Sequence, residues 1–158
     1  MQRRSIWAVL APVSLAAVGL AGCTSEPEAP VTPYKPVATN LELMESIVAH
    51  AAEEYWGAVR IVVDENGVTE HFPETEEEWE EVWAAGLSLA ESGNLLMMPP
   101  RAVNEPEWMR ISADLVDVGL EAAQAAEAQD PEAVLAVGER VYNVCLDCHN
   151  LYSPAEPE

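Results

Sequence analysis

A chain of 158 residues with 28 acidic and 7 basic side chains carries a formal net charge of −21, and 49% of its residues are hydrophobic. That length accommodates one compact domain with a real core. So negative a balance excludes a grip on nucleic acid, whose phosphates are held by Lys and Arg, and disfavours electrostatic attachment to anionic lipid.

The chain opens with a positive n-region, Met1-Gln2-Arg3-Arg4, ahead of an apolar run from Ser5 to Gly22 that ends in Leu20-Ala21-Gly22-Cys23. Small residues before a cut and a cysteine immediately after it resemble the bacterial lipoprotein signal, in which the cysteine is acylated and becomes the new N-terminus. The alternative is an uncleaved membrane helix with an incidental cysteine, for which the run is barely long enough. The surroundings of Arg3-Arg4 do not support a twin-arginine signal. On the lipoprotein reading residues 1–22 are removed and Cys23 is the lipid anchor. The exported chain then keeps 28 acids against 5 bases, a net charge of −23. Residues 23–38 include Pro27, Pro30, Pro33 and Pro36. A stretch of this kind stays extended at about 3.1 Å per residue, and it reads as a tether without packed structure ahead of a domain over 39–158.

Four blocks with helical spacing of apolar residues follow. Thr39-Asn40-Leu41-Glu42 is a capping-box pattern opening a helix to about Val59, with Leu41, Met44, Val48, Ala51 and Tyr55 as its stripe. Ile61 to Val68, with Asn66-Gly67 at its turn, predicts a small hairpin. Thr75-Glu76-Glu77-Glu78 opens the second helix, to about Glu91, striped by Trp79, Val82, Trp83, Gly86 and Leu89. Its acidic start, Glu74 to Glu81, reads as a solvated first turn favoured by the helix dipole. A loop containing Pro99-Pro100 spans Asn94 to Val103. Asn104-Glu105-Pro106-Glu107 then opens the third helix, with Trp108, Ile111, Leu115, Val118, Ala122 and Ala125 as its seam. Asp130-Pro131, a cap followed by a first-turn proline, opens the fourth, whose stripe is Val134, Gly138, Val141, Tyr142, Cys145, His149 and Tyr152. The predicted class is all-α, a four-helix bundle.

The informative segment is Cys145-Leu146-Asp147-Cys148-His149. Two thiols three residues apart lie on adjacent turns of one helix face, where they can add to the two vinyl groups of a haem. The histidine that follows is then held against the iron as its proximal ligand. Export takes the chain to the compartment where such haem is attached. Three other readings stand beside this one. A thioredoxin-like dithiol wants a βαβ context and a cysteine pair at a helix N-terminus. A zinc site needs further ligands, and only His50 and His71 remain. A structural disulfide leaves His149 unexplained. On the haem reading the odd number of cysteines resolves into one lipid attachment and two thioethers.

With the motif near the C-terminus, on the last of four helices and followed three residues later by Tyr152, the stretch from Thr39 to Tyr152 resembles cytochrome c-prime and its low-spin relatives, the four-helix-bundle c-type cytochromes. Two departures are Ser153, where that family usually has a basic residue, and the segment 60–73, which looks like an insertion. The resemblance implies one covalent haem c near the C-terminus of the last helix and a sixth iron position filled from the first helix. Met44 stands at the matching point. A thioether there gives a low-spin carrier of raised potential, whereas a non-ligating residue, with Met44 only filling core space, leaves the iron five-coordinate and open to small gases. His50, six residues on, is rotated by about 240° from the Met44 stripe and reads as solvated, as does His71. Met97, Met98 and Met109 read as core packing. Trp56, Trp79, Trp83 and Trp108 read as core or pocket walls, and Arg101 and Arg140 as candidate partners of haem propionates.

The function implied is that of a membrane-tethered electron carrier of the bacterial cell envelope, exported to face the periplasm and meeting redox partners that present a basic docking surface. Monomer and homodimer stay open. The alternative is a five-coordinate gas-binding or sensing haem protein, and a non-haem lipoprotein is the third reading. No acid–base pair or nucleophile constellation points to an enzyme.

Overall fold

The computed structural model describes residues 34–103 and 106–153. The signal segment, Cys23, the tether up to residue 33 and Asn104-Glu105 of the third capping pattern lie outside the described residues. Four helical segments and one hairpin make up the described chain, an all-α class. Among the described residues no helix is long and apolar enough to cross a membrane.

The first segment, α1 (residues 40–58), runs through Asn40–Leu43, a π-helical turn Met44–Val48 and Ala49–Ala58. Thr39 closes its start as the sequence predicts: the Glu42 N–H donates to Thr39 Oγ1 and the Thr39 N–H to Glu42 Oε2. The π turn alters the expected stripe. Ala49 N–H reaches back five residues to the Met44 carbonyl. In an α-helix, five residues rotate about 500°, well off one face; the wider turn brings positions five apart close to one face. Leu43 and Val48 are therefore both buried, and Leu41, expected in the stripe, is 65% exposed. Ala51, Ala52 and Tyr55 continue the buried face.

Strands β1 (Arg60–Asp64) and β2 (Gly67–His71) pair antiparallel with Asp64 opposite Gly67. The reversal therefore falls on Glu65-Asn66, one residue before the expected Asn66-Gly67 centre. Asp64 Oδ1 accepts from the Asn66 N–H, and Gly67 takes φ 129, a conformation that residues with a Cβ avoid.

Helix α2 (Glu76–Met97) starts at a second complete capping box, Thr75 with Glu78. It continues past the expected Glu91. Nothing in Asn94-Leu95-Leu96-Met97 breaks a helix, and the stop comes at Met98, held extended (ψ 134) ahead of Pro99, which disfavours helical backbone in the preceding residue. Trp83, expected in the buried stripe, is 42% exposed. The face turned inward is centred on Val82, Gly86, Leu89 and Leu96, which leaves Trp83 at its edge.

Helices α3 (Pro106–Glu127) and α4 (Pro131–Tyr152) begin at the predicted first-turn prolines, and Asp130 caps α4 by accepting from the N–H groups of Glu132 and Ala133. All six seam residues expected on α3 are buried. On α4 the buried residues are Val134, Val137, Gly138 and Val141; Tyr142 and His149, expected in the stripe, are exposed.

Helix α2 lies against α3 in antiparallel fashion at very short range. A Cβ on Gly86 would sit 2.5 Å from the Ala123 nitrogen, and one on Gly119 would collide with the backbone of Ala90. Small residues thus draw these two backbones together, while bulkier ones fill the shared core. Leu43, Leu89, Val134 and Val141 are fully buried there beside Tyr55, each of the aliphatic side chains contributing about 1.5–3 kcal/mol relative to exposure. Burial raises the Tyr55 phenol to about 12. Residues 34–38 carry no helix or strand, as expected of a tether, yet its last residue is tied down: the Ala38 carbonyl accepts from Arg101 Nε at 3.0 Å.

Candidate functional site

The last two turns of α4 carry Cys145, Cys148 and His149, and all three line one cavity of about 390 Å³. That volume lies in the range of small-molecule and cofactor sites, roughly 300–1,000 Å³. Each of the four helices contributes a wall. Met44 and Trp56 come from α1, Leu96 from the end of α2, and Ile111 and Leu115 from α3. The lining is predominantly apolar, because the helical spacing that buries one face of each helix directs those faces to a common space.

Both cysteines are free thiols, half-buried. Desolvation pushes the Cys145 thiol above its ordinary value, helped by Cys148 beside it, and desolvation alone does the same to Cys148. A catalytic dithiol is built the opposite way, with the thiol pKa lowered at a helix N-terminus, and these two lie at a C-terminal end. Raised thiol pKa values are the opposite of what a dithiol that cycles as thiolate needs. Among the described residues no three His, Cys, Asp or Glu side chains converge as a metal cage, and His50 and His71 are both exposed and lie outside the cavity.

Met44 is half-buried, packs against the main core and opens the π turn, its carbonyl accepting from Ala49. Such turns occur frequently at functional sites. Here it sets the register in which Met44, Val48, Ala52 and Trp56 face the cavity together. Met97, Met98 and Met109 do not line it. Of the tryptophans, Trp56 is a wall. Trp79 and Trp108 are buried, and the Trp108 ring lies edge-on to Tyr152 at 4.9 Å with its Nε1–H donating to the Leu96 carbonyl. Trp83 is neither core nor wall.

The two arginines expected near acidic groups of a cofactor are engaged elsewhere. Arg101 is buried and donates to the carbonyls of Ala38 and Leu95, and Arg140 forms an ion pair with Glu121. Among the described residues no Lys or Arg lines the cavity, whereas Glu45 and Glu53 do. Neither carboxylate was singled out by the sequence pattern. Both follow from it once the face is known, since each directly follows a cavity residue, Met44 or Ala52.

The residue types are compatible with a haem: two thiols one turn apart, a histidine in the next position, a thioether on another helix, and an apolar space all four share. Comparison of the chain with protein-family models, curated proteins and solved structures gives no match.

Proposed function

We propose that this chain is a c-type cytochrome of four-helix-bundle architecture that carries electrons through one covalently held haem. One observation carries the reading: Cys145, Cys148 and His149, near one end of the described chain, share an apolar cavity with Met44, near the other. Cys145 and Cys148 would hold the group through thioether bonds to its two vinyl substituents, each thiol proton passing to the neighbouring vinyl carbon. His149 and the Met44 sulfur would be the iron ligands. The bound group supplies a one-electron ferric–ferrous couple, which Met/His ligation places at raised potential. The protein's part is to exclude water with Val48, Leu96, Ile111 and Leu115 and to keep both ligands in place. Electron transfer, with no substrate turned over, is the activity.

Around that centre the proposal places the chain in the bacterial cell envelope, facing the periplasm and held to the membrane through lipid on Cys23. Its acidic surface selects redox partners with a basic docking face and weakens their binding as salt rises. The test is a haem stain and a ferric optical spectrum of the exported protein. A low-spin spectrum with a sulfur-to-iron charge-transfer band supports the carrier. A high-spin spectrum with CO binding replaces it with a gas-binding haem protein. An absent haem stain replaces both with a non-haem lipoprotein.

A further inference from the structure

The mouth of the cavity carries exposed apolar side chains, on a chain of strong net negative charge. Trp56, Tyr142 and Leu146 line the cavity and are respectively 36%, 55% and 42% exposed. The first two rings meet edge to face with centroids 6.2 Å apart. Trp56 and Tyr142 also line the adjoining groove between α1 and α4, where Leu135 is exposed as well, so the patch continues across both. Contiguous exposed apolar side chains rimmed by polar ones mark interaction surfaces, and Trp and Tyr are the residues that dominate binding energy in them.

The rim is of one sign. Glu45 and Glu53 stand at the cavity and Glu139 at the groove, and among the described residues no Lys or Arg lines either. The basic side chains of the described region are spent elsewhere: Arg101 is buried, Arg110 pairs with Glu107 and Asp114, and Arg140 pairs with Glu121. Arg60 lies along the hairpin groove and Lys35 in the tether. A second copy of the chain would bring the same carboxylates against these, which disfavours a symmetric contact through this face.

We propose that Trp56, Tyr142 and Leu146, flanked by Glu45, Glu53 and Glu139, form the docking surface for a redox protein whose own docking face is apolar at its centre and ringed by lysines. This rests on the haem reading, because the patch borders the cavity that would hold the cofactor. Opposite charge speeds the encounter and orients it, and the apolar centre supplies a contact that can be released quickly.

The test uses the haem-loaded protein and a small lysine-rimmed cytochrome c of the globular type as electron acceptor, followed by stopped flow at low and at high salt. The variants are Leu135→Ser and Glu139→Lys, in the groove part of the patch and outside the cavity; Glu80→Lys, on α2 away from the patch, is the control. Each patch variant should keep the wild-type spectrum and exchange about tenfold more slowly at low salt. The charge variant should also lose much of the salt dependence, and the control should match wild type. Patch variants that keep the spectrum and the wild-type rate overturn the docking surface alone, as does a control that slows equally. A purified protein with no haem absorption overturns the haem reading and this inference with it.

Discussion

The Trp56 indole Nε1–H donates to the Gly138 carbonyl at 3.0 Å, and a Cβ at Gly138 would come within 3.3 Å of the same ring. One side chain thus closes the cavity, separates it from the neighbouring groove and locks α1 to α4. Trp56→Phe keeps an aromatic wall and removes the bond. It should lower the unfolding free energy by about 0.5–1.5 kcal/mol, read as a smaller urea midpoint with an unchanged slope. An unshifted midpoint would show that the bond contributes nothing in water.

Met44→Ala separates ligation from packing. Loss of a half-buried side chain should cost less than the roughly 2–5 kcal/mol of a fully buried one, so the variant should stay folded. Its ferric spectrum should lose the sulfur-to-iron band, turn high-spin and gain CO binding. A variant spectrum identical to wild type removes Met44 from the iron.

Gly119→Ala is expected to destabilise despite alanine's better helix propensity. The propensity gain is about 1 kcal/mol. The added methyl meets the Ala90 backbone, which cannot rotate away as a side chain can, and overpacking costs about 1–3 kcal/mol. Thermal unfolding should show a lower Tm; a raised one would mean that α2 and α3 separate freely.

Two capping carboxylates give the protein an acid-sensitive component. The Glu78 carboxyl is held below its ordinary range by the backbone N–H groups of Glu74 and Thr75, and Glu42 by that of Thr39. A carboxyl whose pKa is lowered on folding contributes stability above its unfolded value, about 4.3, and loses it as pH falls through the folded value. Protonation also relieves the repulsion of a chain at −21, with the opposite sign, so the comparison of Glu78→Gln with wild type is what isolates the cap. The gap between their urea midpoints should narrow below about pH 4.3. A constant gap contradicts the cap's titration. Thr75→Ala, which removes the acceptor of the Glu78 N–H, should cost about 1 kcal/mol at neutral pH.

Much of this arrangement was legible in the chain. Thr39, Thr75 and Asp130 announce helix starts because a side-chain oxygen there meets N–H groups that the helix leaves unpaired. The α3 seam could be read because a regular helix repeats every 3.6 residues. Leu41 and Leu43 exchanged roles because a π turn shifts hydrogen bonding by one residue and has no composition of its own. Trp83 fell out of the core because its angular offset from Gly86 was small enough to look like membership of the stripe. The cysteines and His149 identify themselves by spacing, but that Ile111, Leu115 and Leu96 join them depends on how four helices meet, which no local pattern encodes. The fate of Arg101 was equally hidden, since its partners are backbone carbonyls, which every residue possesses.

The hairpin carries a further consequence. Both of its strands are edges, and Ile61, Val63 and Val68 are exposed along it, a template onto which another chain can pair. Its defences are charges: Asp64, Glu65 and Glu70, backed by the excess of acid elsewhere. Mutual repulsion therefore acts as the colloidal guard of this one element, and it fades as salt screens it. Concentrated protein brought to high ionic strength should associate first through strand addition at residues 60–71, with the helices still folded.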